Sequence, residues 1–140
     1  MTHGDIAALL ARHHEAFARH DADTLASQHL PDGTFESPAV GLVRGRNAIA
    51  QVYRYWFTSF PDMRFTWTTP LIDTDRAALF WMLEGTIEGP FFGVPHAGTH
   101  VKMSGAALYT FKDDGILSAA HIFDFSAVLI KAGILKAKPA

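Results

Sequence analysis

The chain has 140 residues, with 12 Lys and Arg against 14 Asp and Glu, for a formal charge of −2. Its 49% hydrophobic and 19% charged content is that of one globular domain and excludes a disordered chain. The near-neutral balance excludes a general nucleic-acid binder, which needs a dense basic face. The absence of cysteine excludes a disulfide framework, a thiolate zinc site and a Cys nucleophile. Ile6, Leu9, Leu10, His13 and Phe17 recur at spacings of three and four and predict a first helix with His13 on its inward stripe. His14 and Arg12 point away. Asp23 is expected to cap a second helix through about Leu30, stopped by Pro31-Asp32-Gly33.

Thr34–Ser37 then reads as a short strand ending at Pro38, and Gly41–Gly45 as a turn or small hairpin. A third helix is expected over Asn47–Phe60, with Ile49, Val52, Tyr53, Trp56 and Phe60 on one face. Past Pro61-Asp62 the period becomes two. Met63–Ile72 and Ala77–Ile87 read as long strands joined at Asp73-Thr74-Asp75. Gly89–Gly98 reads as a loop, Val101–Phe111 and Ile116–Phe125 as a second hairpin, and Ser126–Leu135 as a terminal helix. Helices first and antiparallel strands later predict an α+β domain. Ala77–Leu83 is apolar at almost every position, so both its faces are expected to be buried, the outer one in a homodimer.

The apolar run Ile6–Ala11 is too short for a signal sequence, and no apolar stretch reaches the roughly 18 residues of a membrane span. A cytoplasmic protein without membrane or nucleic-acid partners is expected.

Several local patterns carry a resemblance. They are Ala16-Phe17 ahead of Asp21, Phe35-Glu36-Ser37-Pro38, Phe60-Pro61-Asp62 and Gly85-Thr86. They continue with Gly89 through Pro95, Phe111 through Gly115, and His121-Ile122-Phe123-Asp124. In this order the chain resembles the SnoaL-like branch of the nuclear-transport-factor-2-like superfamily over nearly its whole length. The resemblance implies a single domain over residues 1–140: a cone-shaped, curved antiparallel sheet wrapped around helices, nuclear-transport-factor-2-like or cystatin-like, with an apolar pocket. The group includes polyketide cyclases, ketosteroid isomerases, epoxide hydrolases and proteins without catalysis, so function rests on the site.

The family's site sets are altered here. Ser37 stands where similar isomerases carry an aspartate base, and Ala107 near their protonated aspartate. His121 stands where similar cyclases carry a catalytic aspartate, three positions before Asp124. The hydrolases' Arg-x-Asp pair meets only Phe80-Trp81-Met82.

His121 is therefore the first candidate, as a pocket imidazole able to serve as acid or base, against the alternative of a buried histidine satisfied by a carbonyl. His13 is the second, as a donor to a substrate oxygen or a core histidine. Asp124 is either a helix N-cap or a catalytic carboxylate. Glu84 is either an edge residue or a pocket carboxylate. Ser37 offers a hydroxyl to a ligand or satisfies the turn before Pro38. Phe17, Tyr53, Trp56, Phe60 and Trp81 are expected pocket walls for a small apolar ligand.

Eight histidines invite a metal, and His96 and His100 are four apart, but Pro95 and Gly98 oppose a helix there. Neither a metal nor an organic cofactor is expected. The resulting expectation is a cofactor-independent cyclase or isomerase acting by acid–base chemistry on a small apolar carbonyl or polycyclic compound. The alternative is a non-catalytic module that binds an apolar small molecule or dimerises.

Overall fold

The computed structural model describes residues 1–95 and 98–136. Helix α1 spans His3–Ala18, opened by a reciprocal cap in which Thr2 Oγ1 accepts from the Asp5 amide and the Asp5 carboxylate from the Thr2 amide. Its stripe of Ile6, Leu9, Leu10, His13 and Phe17 is buried, as the spacing requires.

Helix α2, Ala22–Ser27, is shorter than expected and is capped by Asp21, not Asp23. The Asp23 carboxylate instead meets Arg54. Strand β1 follows at His29–Ser37 and runs through Pro31-Asp32-Gly33, where a stop was expected. Proline is tolerated there because the ladder to β9 is irregular between His29 and Thr34. Strand β2, Gly41–Arg44, folds back on β1 as a small hairpin, and α3 spans Arg46–Ser59.

The predicted long strand Met63–Ile72 is two pieces, β3 (Arg64–Trp67) and β4 (Leu71–Asp73). Both pair with β5, Arg76–Ile87, in registers that differ by one residue. The intervening Pro70 lacks the amide a continuous ladder would need. The expected loop contains a small ribbon, β6 (Pro90–Phe91) with β7 (Val94–Pro95). Strands β8 (Thr99–Lys112) and β9 (Gly115–Phe123) form the second hairpin, and α4 closes the described chain at Phe125–Lys131. That helix stops earlier than expected, with Gly133 at φ 78° just past its end.

The main sheet runs β2-β1-β9-β8-β5-β3, with β4 beside β5, and it is curved and unclosed. All its pairs are antiparallel except β1 with β9, which is parallel. Along β5 the alternation is strict. Ala77, Leu79, Trp81 and Leu83 are buried under the helices, whereas Phe80 and Met82 are 68% and 39% exposed. The expectation that both faces of this strand are buried holds within the chain for the inner face alone. Each large apolar side chain buried on that face stabilises the fold by roughly 1.5–3 kcal/mol. None of the described helices is long and apolar enough to cross a membrane.

Candidate active site

The concave face of the sheet and the inner faces of α1 and α3 leave a cavity whose walls are mainly aromatic. Phe17, Tyr53, Trp56 and Phe57 come from the helices; Phe35, Phe65 and Trp81 come from the strands. Met63, Leu83 and Met103 complete the apolar wall. The free space is about 50 Å³, rising to about 460 Å³ when the gaps and the open mouth are counted. Among the described residues His121 is the sole imidazole in this lining. Opposite it in the ladder stands Ala107, whose methyl group leaves room for the ring.

The state of His121 is set by its neighbour. Trp81 donates its indole N–H to His121 Nδ1 at 3.1 Å. An indole can only donate, so Nδ1 must carry a lone pair and Nε2 the proton. Protonating the ring would set an N–H against that indole. Burial, followed by the nearby His13, lowers the His121 pKa to about 3. At neutral pH His121 therefore presents an N–H donor, and its Nε2 has no protein partner among the described residues.

His13 is the complement. Its Nδ1 lies 2.5 Å from Gln28 Oε1, which can only accept, so the proton sits on Nδ1 and Nε2 keeps a free lone pair. Burial outweighs the raising effect of Gln28 and lowers the His13 pKa to about 4. His13 packs edge-on against Phe17, ring centroids 5.3 Å apart, one layer behind the cavity wall. These hydrogen bonds leave His121 Nε2 a donor and His13 Nε2 an acceptor.

The remaining expected residues separate. Phe60 is fully buried and stacked on Trp56 at 5.9 Å, behind the lining. Ser37 Oγ accepts from the amides of Ala39 and Val40 and so satisfies the turn. Glu84 stands on the outer face against Arg64 and His100, so of its two expected places it takes the edge and is not a pocket carboxylate. Asp124 caps α4, accepting from the Ala127 amide at 3.0 Å and the Ser126 hydroxyl at 2.7 Å. Neither carboxylate belongs to the lining.

His96 lies outside the described residues, and His100 is held by Glu84. His14 stacks on Trp67 and His20 on Phe57, each also meeting a backbone carbonyl. Among the described residues no three ligating side chains gather as for a metal.

Sequence reasoning missed His29, Trp67 and Tyr109. His29 is fully buried beneath α3, its Nε2 3.4 Å from the Tyr53 hydroxyl. Burial, then His13, His121 and Arg46, lowers its pKa to about 3. Burial likewise raises the Tyr53 and Tyr109 hydroxyls. Tyr109 was legible from the period of two, since it shares the inward face of β8 with Ala107 and Phe111. His29 was hidden because Pro31-Asp32-Gly33 obscures its strand.

A model of the SnoaL-like domain matches residues 10–119. The chain belongs to the SnoaL-like family. Among solved structures, TsrD from Streptomyces laurentii is 19% identical over 96% of this chain and 99% of its own, with a TM-score of 0.82. AclR from Streptomyces galilaeus, a candidate hydroxylase, is 22% identical over 94% and 83%, with a TM-score of 0.80. IdmH from Streptomyces antibioticus, a candidate polyketide cyclase, is 26% identical over 89% and 96%, with a TM-score of 0.74. No curated protein is similar enough in sequence to match. These likenesses establish the SnoaL-like fold; the reaction must be argued from the cavity.

Proposed function

We propose that this SnoaL-like chain is a cofactor-independent cyclase or isomerase that polarises the carbonyl of a small, apolar compound. The observation that carries the reading is the Trp81 N–H on His121 Nδ1, which fixes a neutral N–H donor in an apolar wall. Such a donor strengthens its hydrogen bond as negative charge develops on oxygen, in a site with little water to compete. His13, one layer behind that wall, keeps a free Nε2 lone pair and reaches a substrate proton only if the wall gives way. At about 50 Å³ the free space admits a single ring only after the unbranched Met63 and Met103 yield. The test is a panel of aryl ketones and 1,3-diketones followed by absorbance and product analysis. Multiple turnovers support the reading, whereas saturable binding without product overturns it. The second outcome is that of a binding module, which the low basicity of all three buried histidines favours.

We also propose that the chain is a homodimer through the outer sheet face. Phe80 and Ile122 are 68% and 73% exposed and flank Ala106 in one row, with Met82 and Leu108 beside them. Charged side chains stand toward the ends, Arg64, Glu84 and Lys102 at one and Asp73 and Arg76 at the other. Two copies can therefore meet over an uncharged centre. Sedimentation should give twice the monomer mass at micromolar concentration, and Phe80→Asp with Ile122→Asp should restore the monomer. A monomeric wild type at all concentrations would overturn the assignment.

A further inference from the structure

Strand β9 stops before its neighbour does. Its last pairing sets Phe123 against Gly105, whereas β8 begins at Thr99. Past Phe123 the chain leaves the sheet for α4, so Thr99–Ser104 of β8 has β5 on one side and no strand on the other. A groove with about 270 Å³ of free space lies along this bare edge, between Val101–Ser104 and the α4 residues Ala127, Val128 and Lys131. Asp124 also borders it, but its carboxylate is already engaged by the Ser126 hydroxyl and the Ala127 amide.

The ladder decides which backbone groups face the groove. Phe111 donates its amide to the Asp75 carbonyl at 2.8 Å, which makes these two a bonded pair between β8 and β5. The β5–β8 register runs from Thr110 to Thr99 without a shift, so every second residue repeats that pattern. Met103 and Val101 thus exchange bonds with Leu83 and Gly85. The residues between them turn the other way. The amide and carbonyl of Lys102 and the amide of Ser104 therefore point to the bare edge, where no backbone group donates to or accepts from them among the described residues.

Met103 joins this groove to the cavity, because it borders both. When its unbranched side chain yields to admit a ring, the space it leaves continues into the groove. Main-chain donors beside an acceptor complement a group that accepts and donates on neighbouring atoms. A hydrocarbon chain does neither and an ester only accepts. A secondary amide does both, as a residue of an adjoining strand would. The edge along the groove, Val101–Ser104, is short for pairing with a separate strand of about 5–6 residues. That length and the continuity with the cavity favour an arm of the cavity's own guest.

We propose that this groove is a subsite for an amide-bearing arm of the molecule whose ring occupies the cavity. The arm passes Met103 and pairs with the backbone of Lys102 and Ser104, in the place that a longer β9 would fill. The assignment rests on the reading of the cavity as a carbonyl site and adds a substrate class to it: a cyclic or aryl ketone that carries a linear secondary amide.

The experiment compares acetophenone, N-propyl-3-(4-acetylphenyl)propanamide and its ester counterpart propyl 3-(4-acetylphenyl)propanoate at pH 7. Binding is followed by calorimetry and by the backbone amide and imidazole ¹⁵N resonances of the wild-type protein. The amide should bind about tenfold more tightly than the ester. The Lys102 and Ser104 amide resonances should move furthest with the amide and stay unmoved with acetophenone, while His121 Nε2 moves with all three. Lys102→Pro deletes an edge N–H without breaking a bond to β5, and it should narrow the gap between amide and ester. If that variant does not fold, the wild-type resonances decide. Equal affinity of amide and ester, or unmoved Lys102 and Ser104 amides, overturns the arm subsite and leaves the carbonyl site standing. Movement of those amides with His121 Nε2 unmoved overturns the link between groove and cavity. Binding of none of the three compounds overturns the carbonyl site as well.

Discussion

Between pH 7 and pH 5 the protein is expected to lose about 6 kcal/mol of stability, from three buried histidines losing about 2 kcal/mol each. Burial lowers the pKa of His13 to about 4 and those of His29 and His121 to about 3. In the unfolded chain all three return to about 6.5. As pH falls below about 6.5 the unfolded state therefore takes up protons first, and folding stability drops until the folded-state values are reached. Above that window the contribution is constant. The expected loss is comparable with the whole stability of an ordinary domain, about 5–15 kcal/mol. The carboxylates of Asp5, Asp21, Asp62 and Asp124, all lowered chiefly by hydrogen bonds, act in a separate and more acidic window. Urea unfolding at pH 7, 6 and 5 checks this. A change below about 1 kcal/mol over that range would mean that the three imidazoles are not buried neutral.

The second large effect is at His121. Replacing it with Ala removes the imidazole N–H that the described residues give the cavity wall, and turnover on a substrate found in the ketone panel should fall about 10²–10³-fold. Gly105→Ala should mimic much of that loss without touching a polar group. A Cβ at residue 105 would lie 2.2 Å from Trp81 Cζ2, and the indole would have to leave its place against His121. Overpacking of this kind also costs about 1–3 kcal/mol of stability. Asp124→Ala is the contrast: it removes a helix cap, worth about 1 kcal/mol, and should leave turnover unchanged. Equal rates for wild type and His121→Ala, with both folded by circular dichroism, would remove His121 from the chemistry.

The inward stripe of α1 and the strict alternation of β5 were legible because each depends on a period that the backbone imposes whatever surrounds it. The aromatic wall from Phe17, Tyr53, Trp56 and Trp81 followed from the same periods. Strand ends were less legible. Pro31 sits in a strand because the ladder is irregular there, and Pro70 divides β3 from β4 because the register slips. Both depend on pairing with residues far along the chain.

The sequence by itself determined the α+β order, the family likeness and the candidacy of His13 and His121, because these rest on local period and on residues at fixed spacing. The tertiary structure decided their chemistry. Whether an imidazole donates or accepts depends on which group occupies its other nitrogen. Those groups, Trp81 forty residues from His121 and Gln28 fifteen from His13, are brought into place only by the closed packing of helices on the sheet. Glu84 illustrates the same dependence: its place against Arg64 and His100 on the outer face is a matter of strand register, and a shift of one residue would have turned it into the core.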